Sequence, residues 1–500
     1  MTNFRSIARI FSALHCMLFA MAASLAQAQT APAQTITGLR LLSPSQSVSS
    51  SIVALDPSIS ADGKRIAFWS NAPDLVQGDT NNVSDVFLYD TSTSAVQRVS
   101  IGARGEQGTL PSVSPVISAN GNFIAFESLS NSLTGLGDGN RVIMRKDLTT
   151  GALDVISPVS LPSAGIVEGS QASMSGDGHL IAFTARLVSN DSKSTTFTIM
   201  LKDMTAGGAY FPLSGIDGNP PNGFSFTPAL SADGRYLVFH SGATNLVNIP
   251  VPATEIYRLD LKTNTISLVS ANSKGEPAND LSQNAAVSAD GRYVVFESRA
   301  SNLATVYPQT RNYFRKDMVT GAIALVSTDS AGRPAYDPYL SGAFRRSAAI
   351  SADGNWVAFE SLAANLGYSD FNMNIDLFLK NMTTGDLIAL DCNAQTGELG
   401  ASGAGSPGLS ADGAVAVFHS SGLLPGGPAG GAIYGSDHSI CPKPVFPTVE
   451  TGWWLVDGRT DMALFLEISP ANRDIFLGLI NFDQAGRGTW SYGVLQPLPK

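Results

Sequence analysis

Seven residues recur along the chain at intervals of 58, 57, 56, 57, 63 and 59: Trp69, Glu127, Thr184, His240, Glu297, Glu360 and His419. Each follows an apolar run such as Ile66-Ala67-Phe68 or Tyr293-Val294-Val295-Phe296. Equivalent positions of a closed repeat share one height and one radius. Three carboxylates and two imidazoles so placed could hold a metal ion or a cationic ligand, or act as an acid and a base. Size argues against one shared ion, whose ligands must lie at ~2.0 to 2.6 Å. The alternative is a set of solvated strand ends, each with its own local hydrogen bonds.

A second candidate is Asp79-Thr80-Asn81-Asn82-Val83-Ser84-Asp85, where the oxygens of Asp79, Asn81 and Asp85 alternate as at the start of a calcium loop. The closing bidentate Glu of such a loop is missing, so an Asx-rich turn is the other reading. Calcium is the one cofactor these residues suggest. No Cys, His and Asp spacing suggests zinc, no Gly-rich phosphate loop opens a helix, and no Gly-x-Ser-x-Gly elbow is present.

The elements that position these residues come from an internal repeat. Ser60-Ala61-Asp62-Gly63 returns as Ser118-Ala119-Asn120-Gly121, Ser175-Gly176-Asp177-Gly178, Ser231-Ala232-Asp233-Gly234, Ser288-Ala289-Asp290-Gly291, Ser351-Ala352-Asp353-Gly354 and Ser410-Ala411-Asp412-Gly413. Asp-Gly and Asn-Gly make tight hairpin corners, and strand formers follow each one. A second apolar run ends at Asp90, Asp147, Asp203, Asp260, Asp317 or Asn381, and four residues on stand Ser94, Gly151, Gly207, Asn264, Gly321 and Gly385. Each unit therefore reads as four antiparallel strands, a to d. Seven such units form an all-β, seven-bladed β-propeller.

The seventh unit lacks a strand d, and Thr37-Gly38-Leu39-Arg40-Leu41-Leu42-Ser43-Pro44 resembles the d segment Thr150 to Pro158. An N-terminal strand is expected to close the ring and protect its edges. The a-b and c-d turns are short and the b-c and d-a connections long, so the long loops share one rim. That rim is the expected binding face.

Ile59-Ser60-Ala61-Asp62-Gly63-Lys64-Arg65-Ile66-Ala67-Phe68, followed by Asp85-Val86-Phe87-Leu88-Tyr89-Asp90, resembles the TolB-type propeller repeat, the bacterial periplasmic relative of WD repeats. The resemblance covers residues 37 to about 437. It implies a secreted or periplasmic scaffold that binds a protein or a surface polymer and has no chemistry of its own.

The first 28 residues read as a cleavable export signal: Arg5 and Arg9, the apolar run from Ile10 to Leu25, then Ala26-Gln27-Ala28. No later run is long and apolar enough to span a membrane. Net charge is −10 for the whole chain and −12 without Arg5 and Arg9, which disfavours nucleic-acid binding. The chain is expected to be a periplasmic or secreted monomer. Export favours pairing the remaining thiols, Cys392 and Cys441. Strand order places them at opposite rims, which opposes it.

The propeller should run over residues 37–441, a Pro-rich linker over 442–451, and a small β-meander over 452–497. This meander resembles a short Gly-Trp-Trp module of exported bacterial proteins. Trp453, Trp454 and Trp490 could stack on sugars or simply fill the core of so small a sheet. Two functions stay open: a binding scaffold for a protein or envelope glycan, and a propeller hydrolase or lyase acting on carbohydrate or peptide from a central channel.

Overall fold

The computed structural model describes residues 40–43, 53–135, 141–157, 167–188, 195–308, 310–337, 348–368, 374–392, 399, 403–421 and 431–437, and the backbone of strands 452–455, 462–468, 475–482 and 488–495. Seven four-stranded antiparallel sheets follow one another. The first blade is Ala54–Ile59 (a), Arg65–Ser70 (b), Asp85–Asp90 (c) and Ala95–Arg98 (d), and the third is Val167–Met174, Leu180–Val188, Thr195–Asp203 and Ala209–Tyr210. In the seventh, Ala404–Leu409, Ala416–Ser420 and Ala432–Ser436 are completed by the N-terminal strand Arg40–Leu41, which pairs with Gly435 and Tyr434. This is the closure expected from the sequence. The only helix among the described residues is a four-residue turn, Asn131–Thr134.

Strand a is innermost: Ala54–Ile59 touches Ser112–Ile117 of the second blade and Ala404–Leu409 of the seventh. The core is divided among the junctions between blades. Ala67, Val86 and Leu88 of the first blade pack on Ile124, Phe126 and Met144 of the second, and Val417 and Ile433 of the seventh pack on Phe68 and Phe87 of the first. Phe68, Phe126, Phe183, Phe239, Phe296, Phe359 and Phe418, one residue before each member of the candidate ring, are all fully buried. Each contributes roughly 1.5–3 kcal/mol of transfer free energy.

The seven Ser-x-Asp/Asn-Gly turns are joined by a closed circle of backbone hydrogen bonds. Ala61 donates to Ala119 O, Asn120 to Gly176 O, Gly176 to Ala232 O, Asp233 to Ala289 O, Ala289 to Ala352 O, Ala352 to Ala411 O, and Ala411 back to Ala61 O, at 2.8–3.2 Å. Within a turn, Ser60 Oγ donates to Asp62 Oδ1 and accepts from Arg65 N. The glycine runs at positive φ, +72° for both Gly63 and Gly291.

The d-a connections do not belong wholly to the long-loop rim. The one leaving the fifth blade first lies against the sixth, where Lys380 Nζ donates to Thr328 O and Asp329 O, and Leu387 N to Ser330 Oγ. An outer edge is thereby covered. Residues 452–455, 462–468, 475–482 and 488–495 form the expected four-stranded meander, in which Trp453 is opposite Phe465, Trp454 opposite Leu464 and Trp490 opposite Ile480. The side chains of these tryptophans lie outside the described residues.

Candidate functional site

Each strand a described through this point carries a polar residue at positive φ: Asp56, Ser114, Gln171, Thr227, Asn284 and Ser406. Each occupies a β-bulge, where two residues oppose one on strand b. The bulge turns its polar side chain toward the end of strand b, and the candidate ring is assembled on this geometry.

Trp69 Nε1 donates to Asp56 Oδ2 at 2.9 Å, Thr184 Oγ1 to Gln171 Oε1 at 2.9 Å, and Asn284 Nδ2 to Glu297 Oε2 at 3.1 Å. Thr227 Oγ1 and His240 Nδ1 are 2.7 Å apart. Other bonds cross between blades. Gln171 N donates to Glu127 Oε1, Thr227 N to Thr184 Oγ1, Ser406 N to Glu360 Oε1 and Ser406 Oγ to Asp56 Oδ1. The ring is thus a polar belt whose cross-blade bonds link the second, third and fourth blades and the sixth, seventh and first.

The expectation of solvated strand ends fails for its carboxylates: Glu127, Glu297 and Glu360 are at most 4% exposed. Burial is tolerated because each accepts hydrogen bonds, and two also face a guanidinium, Arg141 on Glu127 at 2.5 Å and Arg311 on Glu297 at 3.1 Å. His419 is different. Its Nδ1 is buried without a hydrogen-bond partner, and burial pushes the imidazole down although Asp56 opposes the shift. A Cβ on Gly405 would come within 3.0 Å of Glu360 Oε1 and 3.1 Å of His419 Cε1, so the glycine leaves room where they converge.

Asp79, Asn81 and Asp85 also come together, around a guanidinium. Arg98 Nη1 is 3.6 Å from both Asp79 Oδ1 and Asp85 Oδ2, and Asn81 Nδ2 donates to Asp85 Oδ2 at 2.8 Å. Asn81 therefore turns its amide nitrogen, a donor, toward the carboxylate. Burial raises Asp79, with Arg98 opposing. Among the described residues no group of three His, Cys, Asp or Glu could hold a metal ion. Cys392 is buried and disulfide-bonded; Cys441 lies outside the described residues.

Sequence reasoning missed an aromatic cluster on the long-loop rim. In the third blade strands b and c run nine residues, against six in most other blades, so their hairpin projects further by about 10 Å. Beside it the Phe197 and Phe226 ring centroids are 4.9 Å apart, Phe224 and Phe226 5.3 Å, and Phe226 and His240 5.7 Å. Phe224 is 43% exposed. Glu168, Arg186 and Phe197 are successive cross-strand neighbours on one face, with Arg186 Nη1 on Glu168 Oε2 at 2.9 Å. The run Phe224-Ser225-Phe226 was a readable signal, but its meeting with Phe197 depends on two blades.

No family model matches the chain, and no curated protein does. Among solved structures, TolB from Acinetobacter baumannii is 18% identical over 66% of this chain and 66% of its own, with a TM-score of 0.39. A prolyl endopeptidase is 12% identical over 89% of this chain and 55% of its own, at 0.48, and the acylaminoacyl peptidase of Pyrococcus horikoshii is 10% identical over 87% and 58%, at 0.47. The chain spans little more than half of either peptidase, and similarity at this level carries no function across. The fold rests on the seven sheets themselves.

Proposed function

We propose that the chain is an exported, non-enzymatic propeller scaffold that binds a protein or an envelope glycan on its long-loop rim, at the junction of the third and fourth blades. The observation that carries this reading is the cluster of Phe197, Phe224, Phe226 and His240 beside the Arg186 and Glu168 pair. Aromatic faces edged by charged hydrogen-bonding groups suit a ligand with apolar faces and polar edges. Glu127 and Glu360 instead join blade to blade, which supports a mechanical role for them.

In this reading residues 1–28 direct export, 37–441 form the propeller, 442–451 connect it, and 452–497 serve as an accessory module. Calcium at Asp79, Asn81 and Asp85 would have to compete with Arg98, and calorimetric titration of the full chain with calcium tests it.

The binding test compares capture of envelope components by the unaltered chain, by Phe224→Ser with Arg186→Ala, and by Asp62→Ser on the opposite rim. Loss with the first variant alone supports the site. Loss with both, or with neither, removes it. One observation favours the second reading, a hydrolase or lyase: His419 keeps an unpartnered ring nitrogen, with Asp56 acting on its charge and Glu360 converging with its ring beside Gly405. Turnover of a peptide or glycan that His419→Gln abolishes would select it.

A further inference from the structure

On the rim opposite the long loops, each of the first six blades sets the residue after its turn glycine against the acid or amide that ends strand c. A backbone bond fixes the register: the residue after that acid donates its N–H to the carbonyl of the residue after the glycine, Met204 to His179 O, Leu261 to Arg235 O and Met318 to Arg292 O, at 2.8–2.9 Å. In the fourth and fifth blades an arginine holds this position and closes over the acid. Arg235 Nε donates to Asp260 Oδ1 at 3.2 Å and Nη2 to Oδ2 at 2.7 Å. Arg292 reaches Asp317 through the same two nitrogens, at 3.2 and 2.8 Å.

The third blade keeps the acid and lacks the arginine. His179 stands in its place, with its ring 5.5 Å from that of Phe123 and its Nδ1 3.5 Å from Asp177 Oδ2. Asp203 Oδ1 serves its own turn, accepting from Thr205 N, Thr205 Oγ1 and Ala206 N, while Oδ2 receives no hydrogen bond from the described residues. The space so left is a pocket of about 230 Å³ whose walls include Asp177, His179, Leu180, Asp203, Thr205 and Asp233. Three carboxylates thus face one imidazole. Elsewhere a cation stands near the equivalent acid: Lys64 and Arg65 line the pocket at Asp90, and Arg145 acts on Asp147. In the third blade Leu180 and Leu201 hold the positions of Arg65 and Arg145. Lys202 is taken up by Gly207 O, and Arg235, next to Asp233, is committed to Asp260.

We propose that this pocket receives the guanidinium of an arginine side chain from a partner protein. Three carboxylates alone name no ligand. The fourth and fifth blades do, because in both a guanidinium fills the equivalent place and meets the equivalent acid through two nitrogens. A planar fork matches the edge of a carboxylate, which an ammonium meets only as a point charge. Free arginine would bring its own carboxylate among Asp177, Asp203 and Asp233, whereas an arginine within a chain brings neutral amides. The site lies on the rim opposite the Phe197 and Phe226 cluster, so either can fail alone.

The test uses the full chain and the peptide acetyl-Gly-Ser-Arg-Ser-Gly-amide, with saturation-transfer NMR reporting the affinity of the peptide. Asp203→Asn keeps the turn, since Asn381 ends strand c of the sixth blade and its Oδ1 accepts Thr383 N and Thr384 N in the same way. His179→Arg installs the residue of the fourth and fifth blades and fills the pocket from within. The unaltered chain is expected to bind the peptide, and each variant to bind it about tenfold more weakly or worse. A peptide with Lys in place of Arg should lose as much on the unaltered chain. Full-strength binding by either variant overturns the proposal, as do absence of binding by the unaltered chain and equal binding of the Lys peptide. Free arginine that binds as tightly as the peptide assigns the pocket to a small molecule and overturns it too. The Lys and free-arginine comparisons use the unaltered chain, so they decide whether or not the variants fold.

Discussion

Glu360 of the sixth blade accepts the backbone N–H of Ser406, the bulge residue of the seventh, at 2.8 Å. Glu127 does the same for Gln171 between the second and third blades. A carboxylate at the end of strand b therefore satisfies a donor that the neighbouring bulge would otherwise leave unpaired. Replacing all the belt acids and histidines together would disturb the ring itself, so such a variant reports on stability before it reports on binding.

Glu127 and Glu297 share a repeat position but should respond differently to alanine. The Arg311 side chain facing Glu297 is 9% exposed, whereas Arg141 facing Glu127 is 47% exposed. Glu297→Ala strands a buried charge and is expected to cost ~3–5 kcal/mol. Glu127→Ala lets Arg141 turn to water and leaves one N–H unpaired, ~1–3 kcal/mol. Urea unfolding at neutral pH compares them, and equal losses would refute the distinction.

Stability should also fall as pH rises, through Glu255. This side chain is fully buried; burial pushes its carboxyl up to about 8 from 4.5, although Ser270 Oγ donates to Oε2 at 2.5 Å. The folded state then holds a proton that the unfolded state releases above about 4.5, so the contribution is intact below that value and is lost progressively up to about 8. Glu255→Gln keeps the shape without the proton. It should be more stable than the parent at neutral pH by a few kcal/mol, on the order of 3, and near parity in acid. A variant that gains nothing at neutral pH would contradict this.

Two glycines of similar backbone conformation separate strain from collision. Gly275 lies at φ +82° with nothing within 4 Å of the position a Cβ would take, whereas a Cβ on Gly291, at φ +72°, would meet Tyr236 Cδ2 at 2.1 Å. Gly275→Ala should cost about 1–2 kcal/mol. Gly291→Ala should cost clearly more, because Tyr236 is held by Arg235 and Arg258 at 4.8 and 4.3 Å from its ring and cannot swing away freely. Thermal unfolding of the pair decides, and a larger loss at Gly275 would be the contrary result.

For Cys392 we expect Cys441 as the disulfide partner, read from non-reducing peptide maps. The loop so closed holds about 50 residues, and Cys392→Ser should lower stability by ~2–4 kcal/mol under oxidising conditions. A mapped link elsewhere, or a free Cys441 thiol, would remove the pairing.

Much of this architecture follows from local chemistry. Seven Ser-x-Asp/Asn-Gly corners dictate seven hairpins, because each corner needs a positive φ and an acceptor two residues before the next N–H. The borrowed strand Arg40–Leu41 is visible because it repeats the pattern of a strand d. Asp56, Gln171, Thr227 and Ser406 each stand four residues before the Ser of a corner, a regularity that marks the bulges once their role is known. Repeat spacing likewise placed Trp69, Glu127 and the other belt residues at one height.

What those residues do needs three dimensions, since the partners that cross between blades, Gln171 for Glu127 and Ser406 for Glu360, stand 44 and 46 residues away in sequence. Spacing could not tell that Glu360 would serve Ser406, that Arg98 would stand between Asp79 and Asp85, or that Phe197 would meet Phe226. Local propensity sets each hairpin; burial and hydrogen bonding across the junctions settle which polar groups remain available to a partner.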